Sequence, residues 1–205
     1  MVLPLVSLNN LTLARGLRVL VQDLTFDLKP GDIWSLTGVN GAGKTSLLRA
    51  AAKLFAPFSG QVQWADGVGV AFLGHELALK PHLRPRALVS AAALERWALQ
   101  DLADVPCALL SAGQKKRLAL ANRCESGAQV WLFDEPFANL DSRYAAMLRE
   151  VVIAHCQAGG ASLCCVHRPE LPGGRLTLDE GRAHISEHIS EHISEKVSEH
   201  VSEAA

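Results

Sequence analysis

Two groups of residues in this sequence have the types and spacing to handle a polyphosphate. The first is Gly38-Val39-Asn40-Gly41-Ala42-Gly43-Lys44-Thr45, followed by Ser46. Glycines let successive backbone N–H groups turn inward around phosphate oxygens, and a helix that opens directly after them adds unpaired donors and partial positive charge. Lys44 can reach β- and γ-phosphates as a point charge, and the Thr45 hydroxyl can ligate Mg²⁺. The second is Asp134-Glu135, which ends the apolar run Val130-Trp131-Leu132-Phe133. Ligands gather beyond the carboxyl ends of strands in open α/β sheets. There Asp134 is placed to complete the Mg²⁺ shell and Glu135 to polarise an attacking water as general base.

The flanking sequence supplies the elements that such groups need. Ile33-Trp34-Ser35-Leu36-Thr37 reads as a short buried strand before the loop. Leu47, Leu48, Ala51, Ala52 and Phe55 then fall at helical spacing over Thr45 to Phe55. Upstream, Leu5 to Leu13 and Arg18 to Leu28 read as strands of a small antiparallel layer, with Pro30-Gly31-Asp32 turning into the loop strand. Downstream, Gln61 to Trp64 and Val68 to Leu73 flank Asp66-Gly67, a hairpin signal. From Pro81 to Pro106 the composition turns to Ala, Leu and charged residues, which predicts an inserted helical lobe of one or two short helices. Val130 to Phe133 has the continuous apolar character of a fully buried parallel strand. A helix from Ser142 to about Gln157, closed by Gly159-Gly160, leads to another buried strand, Ser162 to Val166. Strands alternating with helices around a phosphate loop predict an α/β fold.

Composition narrows the function classes. The 205 residues suffice for one domain with a small insertion. A formal net charge of −1 argues against a nucleic-acid partner, which needs clustered excess Lys and Arg. No segment approaches the roughly 20 apolar residues of a membrane span. The opening Met1-Val2-Leu3-Pro4-Leu5 has no export pattern, so a cytosolic address is expected. Cys107, Cys124, Cys156, Cys164 and Cys165 form no Cys-x-x-Cys pair and are read as small reduced core residues.

Between the two chemical groups stands Leu110-Ser111-Ala112-Gly113-Gln114, followed by Lys115-Lys116-Arg117-Leu118-Ala119-Leu120-Ala121. This resembles the signature sequence and helix of ATP-binding-cassette (ABC) ATPases, with Ala112 in place of a glycine. Ala138-Asn139-Leu140-Asp141 is similar to the family's loop that crosses a dimer interface, and His167 falls where the family carries a histidine that contacts γ-phosphate. The resemblance spans roughly residues 2–180. It implies a P-loop NTPase fold of the ABC type, with N-terminal antiparallel strands and a shortened helical lobe over about 76–115. It implies ATP and Mg²⁺ as cofactors, with Mg²⁺ on Thr45 and Asp134 and catalytic roles for Lys44, Glu135 and His167. ATP would be bound by residues 38–46 of one subunit and by Ser111, Gly113 and Gln114 of the other subunit of a homodimer.

Departures from the family pattern are also informative. No aromatic residue stands near Arg15-Gly16-Leu17-Arg18 to stack on adenine, and His75 takes the place of the glutamine at the start of the lobe. Leu73-Gly74-His75, Leu-Ser-Ala-Gly-Gln and Asp134-Glu135-Pro136-Phe137 resemble one branch, the ATP-binding subunits of cytochrome c biogenesis transporters of the heme-exporter type. That branch implies a peripheral subunit on the cytoplasmic face of the bacterial inner membrane, working with separate transmembrane subunits. Two readings stand beside it: a cassette serving a transporter for another substrate, and a soluble nucleotide-gated interaction protein. Beyond the ABC domain, expected over 1–183, residues 184–205 repeat His-Ile-Ser-Glu and its variants. That composition predicts a low-complexity tail, on which His184, His188 and His192 would share a face if helical.

Overall fold

The computed structural model describes residues 2–167, 171–179 and 181–186. Two sheets are built. β1 (Val6–Arg15), β2 (Arg18–Leu28) and β4 (Ser59–Trp64) form an antiparallel sheet in the order β2-β1-β4. The main sheet has the order β5-β6-β7-β3-β8-β9, from β5 (Val70–Leu73), β6 (Val130–Asp134), β7 (Ala161–Cys165), β3 (Ile33–Gly38), β8 (Gly174–Asp179) and β9 (Arg182–Ser186). All its neighbours are parallel except the β8–β9 pair. The α/β class and the small antiparallel layer expected from the sequence both form.

The continuous apolar run of β6 is explained by burial on both faces. Val130 and Leu132 face the core that holds β1, β2 and α1 (Lys44–Ala51). Trp131 and Phe133, one residue out of phase, face the core that holds α2 (Ala91–Arg96), α3 (Ala112–Cys124) and α4 (Ser142–Gln157). α1 locks the first core through Leu47 and Leu48, both fully buried, each worth about 1.5–3 kcal/mol of transfer free energy. It ends at Ala51, before the predicted Phe55, because Lys53 takes a left-handed turn at φ 57°.

One local expectation is overturned. Asp66-Gly67 does turn, but its flanking strands do not pair. β4 runs antiparallel to β1 with Val6 opposite Trp64, whereas β5 runs parallel to β6 with Val70 opposite Val130. The turn carries the chain from one sheet to the other. The alternative partners win because β5 is thereby covered on both sides, with Ala71 and Leu73 buried in the second core.

The lobe comprises α2 and single 3₁₀ turns at Pro85–Ala87, Gln100–Leu102 and Cys107–Leu109. Trp97 and Leu99 anchor it, both nearly inaccessible. Arg117 of α3 donates to the carbonyls of Trp97 (2.6 Å) and Ala98 (3.3 Å), which ties the lobe to the start of α3. The boundary expected after Ala183 falls inside β9, where His184 pairs with Thr177 and Ile185 with Leu176. His188, His192 and the rest of the repeat lie outside the described residues. Among the described residues, no helix is long and apolar enough to cross a membrane.

Candidate nucleotide site

The loop from β3 to α1 turns at three left-handed glycines, Gly38 (φ 136°), Gly41 (80°) and Gly43 (104°). At Gly38 a Cβ would run into the Leu178 carbonyl, and at Gly43 it would stand 2.9 Å from Leu20 Cβ. Gly43 is also the residue that starts α1, and it has no side chain to cap the helix. The other three α-helices described are capped: Ser90 accepts from Ala93 N–H, Ser111 from Gln114 N–H and Asp141 from Tyr144 N–H. A cap contributes about 1 kcal/mol. α1 alone leaves those donors open, at the point where the glycine loop faces a cavity of ≈ 520 Å³.

Asn40, Gly41, Gly43, Lys44, Thr45 and Ser46 line that cavity, and Glu135 enters it from the end of β6. Lys44 is nearly buried. Its Nζ donates to the Gly38 carbonyl at 2.7 Å and to the Val39 carbonyl at 3.0 Å, so the ammonium bridges its own loop. Ala42 is buried beneath the loop. The Thr45 hydroxyl donates to Asp134 Oδ2 at 2.7 Å, joining the loop helix to the carboxylate strand. A hydroxyl and a carboxylate are hard oxygen donors, the set that suits Mg²⁺. Cys165 of β7 closes the same wall; burial first and the neighbouring Asp134 carboxylate next push its thiol up to about 12.

Glu135 sits in an unusual backbone state, φ 50°, rarely adopted by residues with a side chain. Three bonds hold it there. Its N–H donates to the Cys165 carbonyl at 3.1 Å, and its carbonyl accepts from Ala138 N–H at 3.2 Å and from Lys116 Nζ at 2.9 Å. Its Oε1 meets His167 Nε2 at 2.9 Å, a contact in which the imidazole N–H donates. Both side chains are partly solvated, so the pair fixes orientation more than it adds stability.

Sequence reading placed most of these residues and missed others. Asn40, Gly41, Gly43, Lys44, Thr45, Ser46 and Glu135 line one cavity, with Asp134 tied to it through the Thr45 hydroxyl and His167 through the Glu135 carboxylate. Ser111, Gly113 and Gln114 do not: none lines it. They begin α3, where Ser111 and Gln114 form a reciprocal capping box with Ser111 exposed. His75 is exposed and lines a separate groove of ≈ 740 Å³ with Thr45, Arg49 and Arg123. Arg15, Arg18 and Leu20 line the first cavity beside the loop. Lys116 has no role of its own in the sequence reading, where it belongs to the signature helix, although its spacing from Ala119 and Leu120 puts it on the buried face of α3.

A family model described as ABC transporter matches residues 21–138. The cytochrome c biogenesis ATP-binding export protein CcmA of Novosphingobium aromaticivorans is 40% identical over 171 residues, covering 76% of this chain and 84% of that one. The protein of the same name from Gluconobacter oxydans is 39% identical over 191 residues, covering 88% and 86%. The chain belongs to the ABC transporter family. As an ABC ATPase it binds and hydrolyses ATP. Its fold matches an ATP-binding subunit of an ABC transporter at TM-score 0.79 and 20% identity, covering 95% of this chain and 93% of that one. A dimeric ATP-binding cassette in a post-hydrolysis state with ADP and Pi matches at TM-score 0.75 and 19% identity, covering 89% and 97%.

Proposed function

We propose that this chain is the ATP-hydrolysing subunit of a cytochrome c biogenesis transporter and that it works as a homodimer with shared ATP sites. The observation that carries the half-site is the uncapped start of α1 opening on a cavity that also holds Lys44, Thr45 and Glu135. On this reading the loop N–H groups take the phosphates in place of a cap, and Lys44 exchanges its two loop carbonyls for β- and γ-oxygens. Thr45 and Asp134 would hold Mg²⁺, which supplies charge neutralisation between phosphates when bound. Glu135 orients and deprotonates the attacking water, and His167 holds the Glu135 carboxylate toward the γ-phosphate side.

Ser111, Gly113 and Gln114 are exposed or half-buried and stand apart from the cavity of their own chain. They would close on the ATP held by the partner. His75, beside Thr45 in the second groove, would report occupancy of the site to a membrane subunit. The similarity to proteins named for cytochrome c biogenesis supports the choice of transporter and a peripheral place on the cytoplasmic face of the inner membrane.

The test is complementation in a bacterium lacking its own such subunit. The chain, co-expressed with its transmembrane subunits, is expected to restore c-type cytochromes, and Glu135→Gln is expected not to. Restoration by neither, with the chain recovered in a soluble complex free of membrane proteins, would overturn the transporter reading.

A further inference from the structure

A cation from the signature helix of the same chain, Lys116, reaches the backbone of Glu135 and interacts with both carboxylates, Asp134 and Glu135. Lys116 is one of only two lysines buried among the described residues, the other being Lys44. Burial lowers its pKa, and the Asp134 and Glu135 carboxylates oppose that shift. A buried ammonium needs fixed acceptors, and the one in reach is the Glu135 carbonyl, at 2.9 Å.

We infer that Lys116 is a positioning residue for hydrolysis: it holds the peptide of Glu135 in its left-handed turn and thereby aims the carboxylate at the cavity. This rests on the reading of Glu135 as general base.

A glutamate at φ 50° persists only if its surroundings over-determine it. Rotation of Glu135 toward an ordinary φ would swing its carbonyl away from two donors at once, Lys116 Nζ and Ala138 N–H. It would also displace the side chain that meets His167. Ala138 is local to the turn and would follow it. Lys116 is anchored elsewhere, on a helix fastened to the lobe through Arg117 and packed through Leu118, Ala119 and Leu120. The Glu135 N–H is tied to the main sheet through the Cys165 carbonyl, and Lys116 is the bond that refers the carbonyl side of the same peptide turn to a second fixed element. Ser111 caps the same helix, so the face offered to a partner's nucleotide and the donor that aims the base share one rigid element.

Full-length Lys116→Met, Lys116→Gln and Lys116→Arg are compared with the parent and with Glu135→Gln. The readouts are ATP turnover, binding of a fluorescent ATP analogue and the ATP-dependent dimer on size-exclusion chromatography. Lys116→Met is expected to lower kcat about tenfold or more while ATP-analogue affinity stays within about twofold, and to accumulate dimer with ATP as Glu135→Gln does. Lys116→Gln, whose amide ends one bond short, should show the same split if Met at 116 fails to fold. Lys116→Arg, which keeps a charged donor, should recover much of the rate. Parental kcat in both Lys116→Met and Lys116→Gln would overturn the inference, as would loss of rate with no ATP-dependent dimer, the mark of a merely damaged lobe. Parental turnover in Glu135→Gln would instead remove the general base, a separate failure.

Discussion

Helices α1 and α3 both begin among small residues, and their first turns are finished in opposite ways. α1 starts on Gly43 with no side-chain cap and opens into a cavity lined by Lys44, Thr45 and Glu135. α3 starts on Ser111 with a complete capping box to Gln114 and lines no part of that cavity. An uncapped, cavity-facing helix end is a seat awaiting an anion. A capped, exposed end is stable alone, and on the proposed reading it meets its nucleotide on another molecule. In the proposed dimer one chain carries a phosphate seat and a lid for its partner's.

The largest expected effect lies on the α1 side. Glu135→Gln keeps the shape of the base and removes its proton affinity. Turnover should fall about 10²–10⁴-fold with ATP binding retained, and the ATP-bound dimer should accumulate on size-exclusion chromatography. Next comes Gly43→Ala, which puts a Cβ against Leu20 at a φ that disfavours it. About 1–3 kcal/mol of backbone strain should appear as a lower Tm and a weaker ATP-analogue affinity. The matching change on α3, Ser111→Ala, should cost about 1 kcal/mol of stability with monomer affinity for nucleotide unchanged. If Ser111→Ala weakened ATP binding as much as Gly43→Ala, the two helix ends would not differ as described.

The smallest effect concerns pH. Burial raises the thiol of Cys165, which lines the cavity, to about 12 and that of Cys156, in the last turn of α4, to about 11, from an ordinary 9.0. A thiol harder to ionise when folded stabilises the fold fully below pH 9, and that stability is lost as pH rises from 9 toward 11 or 12. Tm should decline over that window, and Cys165→Ser and Cys156→Ser should flatten the decline. Both thiols should resist alkylation in the native state near pH 8.

The α1 side was legible in the sequence because its chemistry is local: the spacing of Gly38, Gly43, Lys44 and Thr45 dictates the loop, and the unbroken run Val130 to Phe133 dictates a strand buried on both faces. The helix from Ser142 to Gln157 was legible for the same reason, since Gly159-Gly160 ends it, while the cap from Asp141 emerged only in the structure. What depended on distant partners was not. Asp66-Gly67 carries a hairpin's signal, but only the completed main sheet decides that Val70 pairs with Val130. The left-handed turn of Glu135 has no sequence mark, because Ala138 only closes it locally and the rest is imposed by Cys165 and Lys116 from two other places in the chain.

The most direct measurement of the shared site is ATP turnover by Ser111→Arg, made with the membrane partner present and alongside ATP-analogue binding to the isolated chain. A bulky cation at the start of α3 touches nothing in its own cavity. The account predicts binding within about twofold of the parent and turnover reduced by about a hundredfold or more. Turnover at the parental rate would contradict it and leave a phosphate-loop ATPase that needs no second subunit.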